Sequence, residues 1–385
     1  MRNVKLDIRK TKSVNYLRQL DYMLLFLVLA LVIFGLITLS SAVRTFDDAN
    51  SMLIKQIVIT GVGVFCAFLL ARFDYNDYKV LGLVLYCFST FLLLLVLLIG
   101  DTILGSKSWL SLPLIGSFQP SEFAKLTFIM VCAVFLSRIK NSEGNDWLNL
   151  LKLLAYAAIP LGLVLLQRDY GTLIVYGVIF IVMLFAFGIK FRYLIIPFLA
   201  SIPFAIFAWF FLLNDARKAR ILVFLDPLGV DPKGLGEAYQ ILRSLMTIGS
   251  GKISGKGLYH GVQTQKSFVP IKESDFIFTV VAEEFGFIGS VILIILFIAF
   301  LLRCIHIAKQ SRDSYGAILV AGIVGMYGYH FIQNIGMCIG LMPITGLPLP
   351  FFSLGSSSML TNLLAVGIVL SVSLRRKQQS IFEKT

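Results

Sequence analysis

The sequence predicts an all-α integral membrane protein, on three observations. Of 385 residues, 58% are apolar and 14% charged, and the mean hydropathy is +0.87, whereas soluble domains carry about a quarter charged residues. Long apolar runs recur along the chain; a helical span needs about 20 such residues, so the runs divide into about ten transmembrane helices. The basic residues are concentrated in alternate connections, which is how helical membrane proteins are oriented. Together these observations exclude an ordinary globular enzyme, a disordered chain and a secreted disulfide scaffold, and residues 1–385 read as a single polytopic membrane domain.

Taken in order, the spans are expected near 22 to 41, 55 to 71, 80 to 100, 121 to 137, 152 to 166, 172 to 189, 193 to 213, 277 to 302, 314 to 336 and 355 to 374. The first is longer than a signal-peptide core and is followed by others, so it reads as an uncleaved span. With the N-terminus inside, the inner segments hold 20 of the 34 basic residues and the short outer loops hold three, Arg44, Lys107 and Arg168. Both termini are therefore expected to be cytoplasmic, as a segment at 1–21 and a tail at 375–385. The net charge of +13 then orients the chain and implies no nucleic-acid partner. The five cysteines, Cys66, Cys87, Cys132, Cys304 and Cys338, have no CxxC spacing and read as reduced, small hydrophobic residues. Residues 214–275 form one long extracytoplasmic loop between spans 7 and 8. Within it Ala238, Ile241, Leu242, Leu245 and Met246 recur at helical spacing, which predicts an amphipathic helix at the membrane surface or a lid against the bundle.

Four groups of residues carry candidate chemistry. In Gln119-Pro120-Ser121-Glu122-Phe123-Ala124-Lys125, Pro120 marks a helix start, and Glu122 and Lys125 share a face. Lys125 falls in an apolar run, where a charge faces a cavity or a partner. Trp109, in the preceding loop, suits the interfacial aromatic belt. Lys272-Glu273-Ser274-Asp275 runs into the adjacent Glu283 and Glu284, expected within the span, where desolvation suits a general base. In Gly249-Ser250-Gly251-Lys252-Ile253-Ser254-Gly255-Lys256-Gly257, backbone amides with Lys252 and Lys256 predict either a pyrophosphate cradle or a flexible hinge. Pro343, Pro348 and Pro350 stiffen an extended loop that leads into Ser356, Ser357 and Ser358, whose hydroxyls are expected to point into the bundle. His330, Gln333 and Asn334 add polar groups to one side of span 9, which predicts an interhelical network. With His260 and His306 as the other histidines, no zinc motif is present. All four groups fall on the expected outer side, which suits a lipid-linked anionic substrate.

Four blocks resemble the SEDS proteins of bacteria (shape, elongation, division and sporulation): QPSEFAK at 119–125, QRDYGT at 167–172, the stretch from FLDP through GSGKISGKG to SDFIFTVVAEEFGFIG at 224–289, and NIGM with PITGLPLPFFS at 334–353. The GKG and GLPLPFFS runs resemble the elongation branch more closely than the division branch. The resemblance implies a multi-pass protein of the bacterial cell membrane, and a peptidoglycan glycosyltransferase that polymerises lipid II by inverting displacement during elongation and shape maintenance. It implies a class B penicillin-binding protein as partner, with other elongation-complex proteins and membrane lipid around it. Position by position it places the catalytic aspartate on Asp275, as general base or acceptor-positioning group, and substrate contacts on Glu283, Trp109, Glu122 and Lys125. Lys252, Lys256, Ser356 and Ser357 are further expected contacts. A divalent cation, Mg2+ or Mn2+, is expected to help the pyrophosphate leave, with the metal ligands unassigned and no organic cofactor. The chain departs from the family pattern at Arg168, Ile271, Glu273-Ser274 and Leu354-Gly355-Ser356. A lipid II transporter and a non-catalytic scaffold are the rival functions. A transporter would need charged groups along a path to the inner side.

Overall fold

The computed structural model describes residues 19–103, 105–112, 116–141, 146–188, 203, 206–212, 215–236 and 238–376. Its helices are α1 (Tyr22–Val43), α2 (Ala49–Arg72), α3 (Tyr78–Ile99), α4 (Pro120–Lys140), α5 (Asp146–Leu166) and α6 (Tyr170–Phe187). After these come α7 (Asp215–Leu225), α8 (Tyr239–Ser250), α9 (Ile277–Lys309), α10 (Ser314–Cys338) and α11 (Ser356–Leu374), with single turns at Pro227–Val230 and Val262–Gln265. Among the described residues, eight helices are long and apolar enough to cross a membrane: α1, α2, α3, α5, α6, α9, α10 and α11. The expected span at 121 to 137 folds as α4, a helix of 21 residues diluted by Glu122, Lys125, Arg138 and Lys140. The expected span at 193 to 213 lies almost wholly outside the described residues.

The helices are sorted by what each buries. α4 buries 17 of its 21 residues, which puts it at the centre, against α3, α5, α6, α10 and α11. α2 does the reverse of a soluble helix. It turns Ile54, Ile57, Val58, Val62 and Phe65 outward and buries Gln56, Thr60, Gly63, Ala67 and Ala71. Small residues let backbones approach where lipid offers apolar groups as good a contact as another helix does, and α11 packs along this stripe with Leu363 against Gly63.

The connections gather at two ends of the bundle. At one end Thr45 Oγ1 meets Ser267 Oγ at 3.0 Å, Lys107 N donates to Gln167 O at 3.1 Å, and Gln119 N donates to Ser357 Oγ at 3.0 Å. At the other, Arg303 holds Asp21 at 2.6 Å and Ser371 Oγ donates to Phe73 O at 2.7 Å. This sorting matches the alternation read from the basic residues.

Two connections show more than the sequence patterning predicts. The outer connection before α4, read as a loop, carries β1 (Asp101–Ile103), β2 (Ser106–Leu112) and β3 (Gly116–Phe118), a small antiparallel sheet in the order β1-β2-β3. Strand alternation turns Ser108 and Leu110 inward. The amphipathic helix exists as α8, but its buried stripe is Ile241, Ser244 and Thr247, while Leu245 and Met246 are 40% and 57% exposed. It docks on α9 and α10, and Ser244 Oγ donates to Cys338 O at 2.6 Å. Ser244 in this stripe satisfies a neighbouring helix end, while Thr247 Oγ1 donates to Arg243 O of its own helix; hydrophobic periodicity registers neither contact.

α9 is broken at Gly286, with φ 66° and ψ −162°, backbone that only glycine adopts readily. The break frees the Glu283 and Glu284 carbonyls, which accept from Lys256 N at 3.0 Å and Gly257 N at 2.9 Å. In return Phe287 N and Ile288 N donate to the carbonyls of Lys252 and Ile253 at 2.9 and 3.1 Å. The glycine-rich loop is thus zipped into the break. Gly255, with φ 77°, lies so close that a Cβ there would stand 2.2 Å from Glu284 O.

Candidate active site

Asp275 stands two residues before α9, where three elements meet. Its side chain is half-buried, with Ser274 Oγ 3.2 Å from Oδ1. Asn334 of α10 donates from Nδ2 to the Asp275 carbonyl and to Leu347 O, each at 2.8 Å. Gly346, with φ 71°, brings the proline-rich loop so near that a Cβ there would stand 3.3 Å from Asp275 Oδ2. Ser353 Oγ donates to Ser274 O at 2.5 Å and Leu354 N to Glu273 O at 2.8 Å. The carboxylate is therefore fixed by its backbone while its side chain remains partly open.

On the neighbouring face, Glu122 and Lys125 form the ion pair expected from their spacing, at 2.7 Å with 4% and 1% side-chain exposure. Lys125 Nζ also lies 2.8 Å from His330 Nε2, and His330 Nδ1 lies 3.2 Å from Pro348 O. Two of the three ammonium protons are thereby committed within the protein. A buried charge in this setting needs such partners.

Glu283 is sealed rather than available. Its side chain is 0% exposed and accepts from Lys256 Nζ at 2.8 Å, Gln263 N at 2.9 Å, Thr264 N at 2.8 Å, Thr264 Oγ1 at 2.7 Å and Ser250 Oγ at 3.3 Å. The expectation of a substrate-facing carboxylate deep in the span is corrected here. A 33-residue helix is about 50 Å long against a hydrocarbon core of about 30 Å, and the stretch beyond Gly286 suffices to cross it. The pyrophosphate cradle is corrected likewise: the amides of Lys256 and Gly257 are spent on the helix break, and the Lys256 side chain on Glu283. Lys252 stays exposed, at φ 49°.

Trp109 lies half-buried on β2 opposite Asp101, in the sheet. Ser357 is buried and receives the Gln119 amide, and Ser356 opens α11 half-buried. Two residues to which the sequence assigned no role also shape the site. Asp169 caps α6 by accepting from Thr172 N at 3.1 Å and takes Gln119 Nε2 at 3.1 Å; a D-x-x-T start was the available signal. Lys272 is 1% exposed and donates to Thr264 O, to Thr45 Oγ1 at 3.0 Å and to Ser267 Oγ at 3.0 Å. Burial holds its ammonium below the usual lysine range. It pins the segment before Asp275 to the α1–α2 connection. Among the described residues no three His, Cys, Asp or Glu side chains converge as a metal site.

The family model for the FtsW, RodA and SpoVE cell cycle proteins matches residues 19–378. The chain belongs to this family. The probable peptidoglycan glycosyltransferase FtsW of Geobacter metallireducens is 33% identical over 97% of this chain and 98% of its own. The peptidoglycan glycosyltransferase MrdB of Escherichia coli K12, of the RodA type, is 32% identical over 94% of this chain and 95% of its own. A solved peptidoglycan synthase complex that coordinates polymerization and crosslinking contains a chain with a TM-score of 0.77 and 32% identity, covering 93% of this chain and 99% of that one. FtsW- and RodA-type relatives thus stand at the same level. As a member of this family with eight candidate spans, the chain is a multi-pass protein of the bacterial membrane.

Proposed function

We propose that this chain is a peptidoglycan glycosyltransferase that polymerises lipid II on the outer side of the membrane. The observation that carries the reading is Asp275, a backbone-anchored, half-buried carboxylate at the outer mouth of α9, in a chain whose full-length relatives are named for this activity. Asp275 takes the proton of the acceptor's 4-hydroxyl as that oxygen bonds to the anomeric carbon of the donor. The bond from that carbon to the pyrophosphate breaks on the opposite face, and the lipid pyrophosphate departs with its electron pair. The result is one displacement with inversion. Of Lys125, Lys252 and Lys256, only Lys252 has an exposed side chain, and it is assigned to the departing pyrophosphate. No step is assigned to a protein-held cation.

Elongation is the proposed cellular role, on the GKG and GLPLPFFS runs. A class B penicillin-binding protein is the proposed partner, supported by the likeness to a chain of a complex that also crosslinks. A transporter is not favoured, because the polar groups around Asp275, Lys125 and Glu283 gather at one end of the bundle.

The test is polymerisation of purified lipid II by the detergent-solubilised chain, alone and with that partner, wild type against Asp275→Ala. Glycan chains from the wild type only are expected. Chains of equal yield from a folded Asp275→Ala protein would overturn the assignment of Asp275.

A further inference from the structure

We propose that His330, Gln333 and Asn334 are positioning residues for Asp275, and that the Glu122–Lys125 pair serves them by fixing the tautomer of His330. The proposal rests on the reading of Asp275 as the group that meets the acceptor hydroxyl.

The loop from Pro343 to Pro350 has a supply problem. Proline has no N–H and fixes φ, so three of the eight residues cannot take part in a backbone ladder, while every carbonyl in the loop still needs a donor. α10 supplies donors from one turn. Gln333 Nε2 donates to Pro343 O at 2.8 Å, Asn334 Nδ2 to Leu347 O at 2.8 Å, and His330 Nδ1 to Pro348 O at 3.2 Å. Exposure of the three side-chain residues is 4% or less. Asn334 spends its second amide proton on the Asp275 carbonyl, so one side chain ties the loop to the residue that does the chemistry. Gly346 lies between two of the held carbonyls and carries the loop against Asp275 Oδ2. The place of the carboxylate is therefore set by three amide or imidazole donors on one helix.

His330 can donate to Pro348 only if its proton is on Nδ1. Lys125 decides that. An ammonium has no lone pair, so at 2.8 Å the Lys125 proton must point at Nε2, which must then be the bare, accepting nitrogen. Glu122 holds Lys125 in place from its other side. The ion pair acts on the loop through a ring some 200 residues away in sequence, |i−j| = 205, with no need to touch substrate.

The experiment has two arms. The first labels histidine with 15N in the detergent-solubilised wild type; the chain has three histidines, and His330→Gln assigns the signal. A neutral ring protonated on Nδ1 is expected for His330. A ring protonated on Nε2, or an imidazolium, overturns the proposal. The second arm measures lipid II polymerisation for His330→Phe, Asn334→Leu and His330→Gln. A misplacement of about 1 Å costs on the order of 10²-fold in rate, so the first two variants should lose kcat on that order with KM within about twofold. Gln offers one acceptor and one donor on a single side chain and should recover kcat to within about tenfold. Wild-type kcat in folded His330→Phe and Asn334→Leu overturns the proposal. The function proposed above fails by a different result, full activity of Asp275→Ala, so the two failures are distinguishable.

Discussion

Asp275 and Glu283 are eight residues apart on one stretch of chain, and their surroundings differ at every atom. Glu283 is fully buried and takes hydrogen bonds from Lys256, Gln263, Thr264 and Ser250 on both oxygens. Asp275 is half-buried, with Ser274 Oγ 3.2 Å from its carboxylate and its backbone carbonyl held by Asn334 Nδ2 at 2.8 Å. A carboxylate whose lone pairs are all engaged holds chain segments together. One that is half-buried at the mouth of the span keeps part of its surface open to another molecule. The difference separates a rivet from the group proposed to react, although both look like acidic residues at the mouth of a span.

The comparison can be broken by substitution, beginning with the largest effect. Asp275→Asn should lower polymerisation by about 10³-fold and leave the unfolding temperature unchanged; a large thermal loss would make Asp275 a structural residue. Gly286→Ala should cost about 3 kcal/mol of stability, because glycine-only backbone is strained and a Cβ would stand 2.2 Å from Gly255 N. Thermal unfolding in detergent reads this, and an unshifted midpoint would mean that the loop is not zipped to α9. Glu283→Gln replaces one accepting oxygen by an NH2 that must face a backbone donor, Gln263 N or Thr264 N, and should cost about 2 kcal/mol, while activity per folded molecule stays within about threefold. If activity vanished with stability intact, Glu283 would belong with Asp275.

The smallest effect concerns Asp21, sealed like Glu283 but at the opposite end. Burial pushes its carboxyl up, but the Arg303 hydrogen bonds, the Leu24 amide and the charges of Arg303 and Arg376 outweigh that and hold it below the usual aspartate range. A depressed native pKa contributes stability above the unfolded value and loses it as pH falls through the native one. The wild type should therefore lose stability below about pH 4 more steeply than Asp21→Asn. Parallel acid profiles would remove Asp21 from the sealed class.

Much of the bundle was legible in the sequence because a span announces itself by length. α4 was the marginal case, its apolar run diluted at both ends by the charges that matter to the site. The sheet at β1 to β3 escaped because short strands in a connection carry no long pattern. Asp275 and the Glu122–Lys125 pair were legible as residues. Their surroundings were not: Lys125 finds His330, and Asp275 finds Asn334, across separations that no local spacing encodes. The glycine-rich loop misled for a related reason. Its amides read as donors in need of an anion, and the acceptors they use exist only because the helix breaks at Gly286, where the sequence reads as one continuous span.

That interruption also gives the molecule its own reporter. In an unbroken helix the amides of Phe287 and Ile288 would exchange with solvent only when the helix itself frays. Here they donate to Lys252 and Ile253 instead, so their exchange clocks the detachment of the extracytoplasmic loop. Two neighbouring amide protons thus measure, in the intact protein and without any added probe, how often the loop that seals Glu283 lets go.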